Sequence, residues 1–204
     1  MNDIYIKAIC VDLDGMFFTE KSFQTFKTAL APESEPEKRD FVLALSPQMK
    51  DFKAGKISEI EYWNRVQQAL NLSLSHEEIF QILRESYEIN SEVEQLVKRL
   101  KEEGHTLCIC SNNFPTRIRE LNKRFSFLSL FDVVVLSYEV GVLKPDRKIF
   151  EALVEKAGCQ PEEIVYADDK ESSLPEAKKL WISTFVFKDV TEYISHLREL
   201  GVKW

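Results

Sequence analysis

Four short apolar runs, spread along a chain of 204 residues, are each followed by polar residues that can carry chemistry. Runs of this length and composition are typical of strands that are buried on both faces of a sheet. Because parallel strands joined by helices bring their carboxyl ends to one edge of the sheet, we expect these polar groups to meet there. In chain order, the runs 4–11, 106–110, 132–136 and 164–167 lead to Asp12-Leu13-Asp14-Gly15, to Ser111-Asn112-Asn113, to Lys144 and to Asp168-Asp169.

The segments between these runs have helical periodicity, so strands and helices alternate through the second half of the chain. This alternation predicts an α/β fold with a doubly wound, mainly parallel, Rossmann-like sheet. In sheets of this kind ligands bind at the carboxyl ends of the strands. The expected elements are helices over 115–125, 147–157 and 174–180, a fifth strand over 184–187 and a closing helix over 190–200.

A long helical insert is predicted between the first two strands, because about ninety residues separate them and a single crossover helix needs far fewer. Ser58 to Glu61 and Ser75 to Glu78 are capping-box patterns, and each precedes apolar residues at helical spacing. A third pattern, Ser91 to Glu94, predicts the helix that restarts the core. The predicted organisation is a helical cap over 17–88, inserted in an α/β core formed by 1–16 and 89–204.

Charge and hydropathy exclude several classes of partner. The net charge of −7, without a basic stripe, argues against nucleic acid. No apolar run approaches the ~20 residues that a transmembrane helix needs. The first five residues, Met1 to Tyr5, lack the basic-then-apolar pattern of a signal peptide. We therefore expect a cytoplasmic protein that binds neither nucleic acid nor a membrane.

The cysteines and histidines do not form a metal-binding or catalytic pattern. There is no Cys-x-x-Cys pair, so the four cysteines are expected to be free thiols that are mostly buried. We expect His76, His105 and His196 at the surface, and a histidine-based mechanism has no support.

The carboxylates at the strand ends favour acid/base or metal chemistry. An Asp-x-Asp pair such as Asp12 and Asp14 is suited to supply a nucleophile and an acid/base, or to hold a cation, although similar residues also occur in ordinary turns closed by glycine. With Asp168 and Asp169 the pocket would contain four carboxylates. These stay ionised together only if a cation neutralises them, and hard oxygen ligands suit Mg²⁺.

In combination, these motifs resemble those of the haloacid dehalogenase superfamily of hydrolases, and the resemblance extends over nearly the whole chain. Asp12-Leu13-Asp14-Gly15 resembles the first motif of the family, Ser111 the second, Lys144 before Pro145 the third, and Asp168-Asp169 the fourth. Two positions depart from the family pattern. Met16 stands where threonine or valine is usual, and Ser173 stands where an acid or asparagine often contributes to the metal site.

The resemblance implies a role for each of these residues. Asp12 is the expected nucleophile, which forms an aspartyl-phosphate, and Asp14 the expected acid and base. Ser111 and the amides near Asn112 are expected to bind the phosphoryl group, with Lys144 supplying positive charge to the transition state. Mg²⁺ is expected on the carboxylates of Asp12 and Asp169 and on the backbone carbonyl of Asp14. Asp168 is either a further ligand or an acid behind the ligands.

We therefore expect a Mg²⁺-dependent phosphatase that acts on a small phosphorylated metabolite. Three alternatives stay open. A haloacid dehalogenase would need neither Asp14 nor Mg²⁺, and a phosphomutase would share all four motifs. A catalytically degenerate binding or regulatory member would be indicated by the departures at Met16 and Ser173. The sequence leaves the substrate and the oligomeric state open and is compatible with a monomer.

Overall fold

A five-stranded parallel sheet forms the centre of the molecule, in a computed structural model that describes residues 5–203. The strands are β1 (Ala8–Val11), β2 (Thr106–Ser111), β3 (Val133–Leu136), β4 (Ile164–Asp168) and β5 (Ser183–Val186). Their order across the sheet is β3-β2-β1-β4-β5, and every neighbouring pair is parallel. The predicted doubly wound α/β fold is thereby confirmed.

The central position of β1 explains why its sequence is continuously apolar. All four of its residues are buried, and it pairs with β2 on one side and β4 on the other. The strand begins at Ala8, so residues 5–7 of the predicted run do not belong to it. Residues 1–4, which include the first residue of that run and most of the segment used in the signal-peptide argument, lie outside the described residues. After β1 the chain continues to β2, toward one edge of the sheet, and after β4 it continues to β5, toward the other edge. The carboxyl ends of these two strands therefore form the switch point at which ligands bind in such sheets.

Helices surround the sheet and also fill the long interval between β1 and β2. That interval contains α1 (Lys21–Leu30), α2 (Pro36–Asp40), a π-helical turn (Phe41–Leu45), α3 (Pro47–Lys53), α4 (Glu59–Leu70), α5 (His76–Ser86) and α6 (Ser91–Glu102). The remaining helices are α7 (Pro115–Phe125), α8 (Ser137–Val140), α9 (Arg147–Ala157), α10 (Pro175–Lys179) and α11 (Val190–Glu199), with 3₁₀ turns at Phe127–Leu130, Pro161–Glu163 and Glu171–Ser173.

The three predicted capping boxes have different outcomes. Ser75 forms the complete box with Glu78 at the start of α5. Ser58 caps α4 through the amide of Glu61, but the Glu61 side chain pairs with Arg65 instead of completing the box. The third prediction is wrong, because Asn90 is the residue that caps α6. It directly precedes the first helical residue, and its side-chain oxygen accepts from the amides of Glu92 and Val93. A cap must stand one residue before the helix, and Ser91 is already inside it.

Two stretches of chain, one before α1 and one between α5 and α6, lie side by side. The amide of Thr19 donates to the carbonyl of Glu88 at 3.0 Å, and the amide of Asn90 donates to the carbonyl of Phe17 at 2.9 Å. We call these stretches, residues 16–19 and 87–90, the paired connections. Met16, the first residue of these stretches, is fully buried in the apolar core. The methionine at this position, which departs from the family pattern, thus fills space in the core. The division into a core and a cap over 17–88 stays a prediction.

The histidines differ from the surface positions that we expected. His105 is buried, because the chain near the carboxyl terminus covers it and the carbonyl of Lys203 accepts a hydrogen bond from its Nε2 at 3.1 Å. His76 and His196 are half-buried. The four cysteines are free thiols, and three of them are buried in β1 and β2. Within residues 5–203 no helix is long and apolar enough to cross a membrane.

Candidate active site

A buried lysine occupies the centre of the polar groups at the carboxyl edge of the sheet. Lys144 reaches this edge from the loop after α8, and its Nζ lies 3.0 Å from Asp12 Oδ1 and 2.5 Å from Asp168 Oδ2. It also donates to the Tyr166 hydroxyl at 2.8 Å and to the Cys110 carbonyl at 3.0 Å. The sheet register explains this convergence, since β1, β2 and β4 are neighbours: Asp12 directly follows β1, Cys110 lies in β2, and Tyr166 and Asp168 lie in β4.

Burial and charge set the protonation of this cluster in opposite directions. Burial raises the pKa of the Asp12 carboxyl, and the charges of Asp168 and Asp14 add to this effect against the opposing charge of Lys144. Burial alone would lower the pKa of Lys144, but Asp12 and Asp168 together raise it, so the amine stays charged. Burial would raise the pKa of Asp168, yet Lys144 and the hydrogen bonds to its carboxylate lower it.

Asp168 is therefore bound on both sides of its carboxylate. Its Oδ2 accepts from Lys144 and from the hydroxyl of Tyr166. Its Oδ1 accepts from the backbone amide of Lys170 at 2.8 Å. These three hydrogen bonds fix the Asp168 carboxylate, which in turn holds the amine of Lys144.

Asp169 leaves a carboxylate oxygen free beside Asp12. Its Oδ1 and the Oδ1 of Asp12 are buried without a hydrogen-bond partner, although Lys144 lies within ion-pair distance of Asp12. Carboxylate oxygens of Asp12, Asp168 and Asp169 lie within 4.8 Å of one another, close enough to share a metal ion. Burial, with the charges of Asp12 and Asp168 adding to it and that of Lys170 opposing it, raises the pKa of Asp169 to about 6.

Gly15 is required where the chain after β1 passes Asp169. It has a φ of +76°, and a Cβ at this position would lie 2.5 Å from the Asp169 carboxylate. Only glycine adopts this conformation readily and leaves that space. The glycine of the first motif thus lets the backbone of the Asp12–Asp14 turn approach the second carboxylate pair closely.

Asp14 faces a different cation from Asp12. Its Oδ2 lies 2.6 Å from Nη2 of Arg117, a completely buried residue in the first turns of α7. The Asp14 side chain itself is 25% exposed, so it contacts the buried arginine and is also accessible to solvent.

The loop after β2 positions Lys144 as well as Ser111. The side-chain oxygen of Asn112 accepts from the backbone amide of Lys144 at 2.7 Å, and its amide nitrogen donates to the Lys144 carbonyl at 3.2 Å. Ser111 is buried, with its hydroxyl 3.4 Å from the amide nitrogen of Asn113. A phosphate-binding role for Asn112 would thus fall to its backbone, and it stays a prediction, as does that of Ser111.

The helical interval supplies one cation to this region. Lys53, at the end of α3, is half-buried, and within the described residues no carboxylate pairs with its amine. Its Nζ lies 5.9 Å from the centre of the Phe23 ring, which also stacks against the guanidinium of Arg117 at 5.3 Å. Burial lowers the pKa of Lys53 to about 8, and the charge of Arg117 adds to the effect.

Sequence reasoning placed seven of the residues in this region and missed three. It identified Asp12, Asp14, Ser111, Asn112, Lys144, Asp168 and Asp169, which the structure brings to one edge of the sheet. It missed Tyr166, Arg117 and Lys53. Tyr166 had a signal, since a tyrosine two residues before Asp168 in an otherwise apolar strand points to the same side of the sheet. Arg117 and Lys53 had none, because single cations in amphipathic helices normally lie at the surface.

A sequence model described as haloacid dehalogenase-like hydrolase matches residues 6–180 of the chain. The chain is 31% identical over 137 residues to bifunctional epoxide hydrolase 2 of Rattus norvegicus, a match that covers 64% of this chain and 23% of the relative. It therefore spans less than a quarter of the length of that relative. It is 38% identical over 71 residues to a glyceraldehyde 3-phosphate phosphatase of Methanothermobacter thermautotrophicus, which is 35% of this chain and 31% of the other.

The fold is similar to that of a solved enzyme. A HAD family enzyme of Bacteroides thetaiotaomicron, determined in complex with magnesium and inorganic phosphate, superimposes with a TM-score of 0.75. The identity is 23%, and the match covers 92% of this chain and 98% of the other. A likeness at this level of identity shows the fold.

Proposed function

The chain belongs to the haloacid dehalogenase-like hydrolases, and on that premise we propose that it is a Mg²⁺-dependent phosphatase that hydrolyses a small phosphate monoester through an aspartyl-phosphate on Asp12. One observation supports this proposal above the others. A buried carboxylate, Asp12, lies between a fixed cation, Lys144, and a second carboxylate with a free oxygen, Asp169. This arrangement provides a nucleophile, a positive charge for the phosphoryl group and a place for a metal ion.

The residues fit a magnesium ion. The unpartnered oxygens of Asp12 and Asp169 would hold it, together with the backbone carbonyl of Asp14. When bound, the ion would reduce the charge repulsion between the phosphate and Asp12. Asp168 is saturated by Lys144, Tyr166 and the Lys170 amide, so we propose that it orients Lys144. Ser173, which replaces the usual acid or asparagine, would contribute no carboxylate to this site.

The first chemical step is an in-line attack on phosphorus. A carboxylate oxygen of Asp12 forms a bond to phosphorus while the bond from phosphorus to the alcohol oxygen breaks. Lys144 would supply positive charge beside the phosphoryl oxygens, and Ser111 and the nearby amides would donate to them. Asp14 gives its proton to the departing alcohol oxygen.

The second step returns the enzyme to its starting state. A water molecule attacks the phosphorus of the aspartyl-phosphate, and Asp14, now ionised, accepts a proton from it. The bond between Asp12 and phosphorus breaks, and inorganic phosphate leaves. The same carboxyl thus donates in one step and accepts in the other.

The phosphatase proposal is favoured over its alternatives by Asp14 and by the known relatives. A haloacid dehalogenase expels halide and would not need Asp14. A degenerate binding protein would not need to keep Asp12, Lys144 and Asp169 in contact range. Among the relatives, one is named a glyceraldehyde 3-phosphate phosphatase and one was solved with magnesium and phosphate. A phosphomutase would use the same residues but would hold the aspartyl-phosphate for transfer, so release of inorganic phosphate distinguishes the two. A small phosphorylated metabolite and a cytoplasmic location complete the proposal.

A panel of phosphate monoesters, assayed with Mg²⁺ and with excess chelator, tests the proposal. We expect inorganic phosphate to be released only with Mg²⁺, and Asp12→Asn is the matched control that should release none. Full activity in excess chelator would contradict the metal assignment. Halide release from 2-haloacids without phosphatase activity would contradict the proposed reaction.

A further inference from the structure

Arg117 is completely buried; two of its three guanidinium nitrogens donate hydrogen bonds, and the third lies at ion-pair distance from Asp14. Nε donates to Asn113 Oδ1 at 2.6 Å, in the loop after β2. Nη1 donates to the hydroxyl of Tyr87 at 2.8 Å, in the second of the paired connections. Nη2 lies 2.6 Å from Asp14 Oδ2. The arginine thus joins the loop after β1, the loop after β2 and the chain that leaves the helical interval.

Aromatic rings fix the flat faces of the same group. The guanidinium carbon lies 4.7 Å from the centre of the Phe114 ring and 5.3 Å from that of Phe23. A buried cation is costly unless it is paired and hydrogen-bonded. The exposed cations on the same helix, such as Arg119 and Lys123, show that α7 itself does not require a buried arginine. The burial of Arg117 is therefore explained by what it holds.

Asp14 is the charged group among its partners, and its position depends on this contact. Its side chain is a quarter exposed and follows a turn, so without Arg117 the carboxylate would be free to adopt other rotamers. With Oδ2 engaged, Oδ1 is the oxygen left to exchange a proton with a leaving group or a water molecule.

We propose that Arg117 is the positioning residue for Asp14 and that Tyr87 links this position to the paired connections. The inference rests on the proposed function, in which Asp14 gives and takes the proton. Arg117 has no exposed surface, so it acts through Asp14 and does not touch the substrate. Any movement of the helical interval about the paired connections would reach the acid through Tyr87 and Arg117.

Single-turnover rates with two leaving groups test the proposal. In Arg117→Met we expect the phosphorylation step to slow by about 10²-fold for an alkyl phosphate, the loss that misplacement of a catalytic group typically causes. An aryl phosphate, whose leaving group needs little protonation, should lose about tenfold less. The affinity for substrate should not change. Arg119→Met removes a neighbouring cation of the same helix that does not touch Asp14, and it should keep the wild-type ratio of the two rates.

Two milder variants keep the test decisive if Arg117→Met fails to fold. Tyr87→Phe removes one hydroxyl, and we expect the same selective loss for the alkyl phosphate at smaller size. Arg117→Lys keeps the charge and should recover part of the alkyl rate. Equal losses for both leaving groups in all three variants would show a purely structural role and overturn this inference alone. Absence of phosphatase activity in the wild-type protein would instead overturn the proposed function, and this inference with it.

Discussion

Lys144 contacts oxygen atoms of four residues, and only Asp12 among them is the proposed nucleophile. The other three contacts explain why the amine stays in place next to Asp12 and does not form a closer ion pair with it. Asp168 shares the positive charge, and the Tyr166 hydroxyl and Cys110 carbonyl fix the direction of the remaining hydrogens. Lys144 is thereby held in one position, which in the proposed reaction would make it more effective in stabilising the transition state than a mobile lysine.

Replacing Asp12 by asparagine should abolish turnover without unfolding the protein. The change keeps the volume but removes the nucleophile, so we expect steady-state activity to fall by about 10³-fold or more. Because burial raises the pKa of Asp12, its charged form is disfavoured in the fold, and the neutral amide should not reduce stability. Activity assays and urea unfolding of the same preparation measure both effects. An active Asp12→Asn protein would show that another group attacks phosphorus.

Replacing Asp14 by asparagine should separate leaving groups. General acid catalysis typically contributes ~10²–10⁴-fold, so alkyl phosphate phosphorylation should slow by about that factor and aryl phosphate phosphorylation by less. Because dephosphorylation would also slow, single-turnover rates are the appropriate measurement. Similar losses for both substrates in that step would argue that Asp14 has no acid role.

Individual residues show which parts of the site could be predicted from the sequence. The location of Asp12, Asp14 and Asp168 was predictable because they lie at or just after the carboxyl end of a strand, and these ends meet at one edge of a parallel sheet. The location of Arg117 was not, since its burial depends on partners that are distant in sequence. Asn112 was expected at the phosphate, and its side chain instead fixes the Lys144 backbone, a contact across 32 residues that no local pattern encodes.

Helix starts illustrate the same limit among the secondary-structure elements. The bounds of α7 and α9 match the prediction because proline after Phe114 and an Asp146 cap mark them unambiguously. The start of α6 was misassigned because Asn90 and Ser91 are both good capping residues. Which of them caps is decided by the paired connections, where the Asn90 amide is held by the Phe17 carbonyl.

Alanine at these two positions distinguishes the caps. Asn90→Ala should lower the free energy of unfolding by about 1 kcal/mol, because two amides at the start of α6 lose their acceptor. Ser91→Ala should change it by only a few tenths of a kcal/mol, since we assign no capping bond to that side chain. Urea denaturation of both variants gives the comparison. A larger loss for Ser91→Ala would restore the original assignment.

The excess of carboxylates at one edge of the sheet should make the stability of the whole molecule depend on a divalent cation. At pH 7, Mg²⁺ at about 100 times its Kd should raise the free energy of unfolding by about 3 kcal/mol. Asp169→Asn removes one proposed ligand and should reduce or eliminate this gain. Thermal unfolding with and without Mg²⁺ measures it independently of activity. An equal gain in wild type and variant would place the ion elsewhere.

The same carboxylate predicts a pH dependence in the metal-free protein. The pKa of Asp169 is raised from 3.8 to about 6, so the folded state holds this proton more firmly than the unfolded chain does. Its contribution to the free energy of unfolding should therefore fall as the pH rises from about 4 to about 6. Other groups titrate in this range, so the measurement is the difference between wild type and Asp169→Asn across the pH series. A difference that does not vary with pH would contradict the shift.

The paired connections have a consequence for how such a chain can diversify. The polypeptide enters the segment from α1 to α5 and leaves it at nearly the same point, where hydrogen bonds join Phe17 to Asn90 and Thr19 to Glu88. Insertions, deletions or complete replacement of the intervening helices would therefore require no change in the strand register or in the Asp12–Lys144 contact. Under the proposed function, such a change would alter what reaches Asp12 and keep the proposed reaction, and the contact of Tyr87 with Arg117 is the one that a new insert would still have to fit.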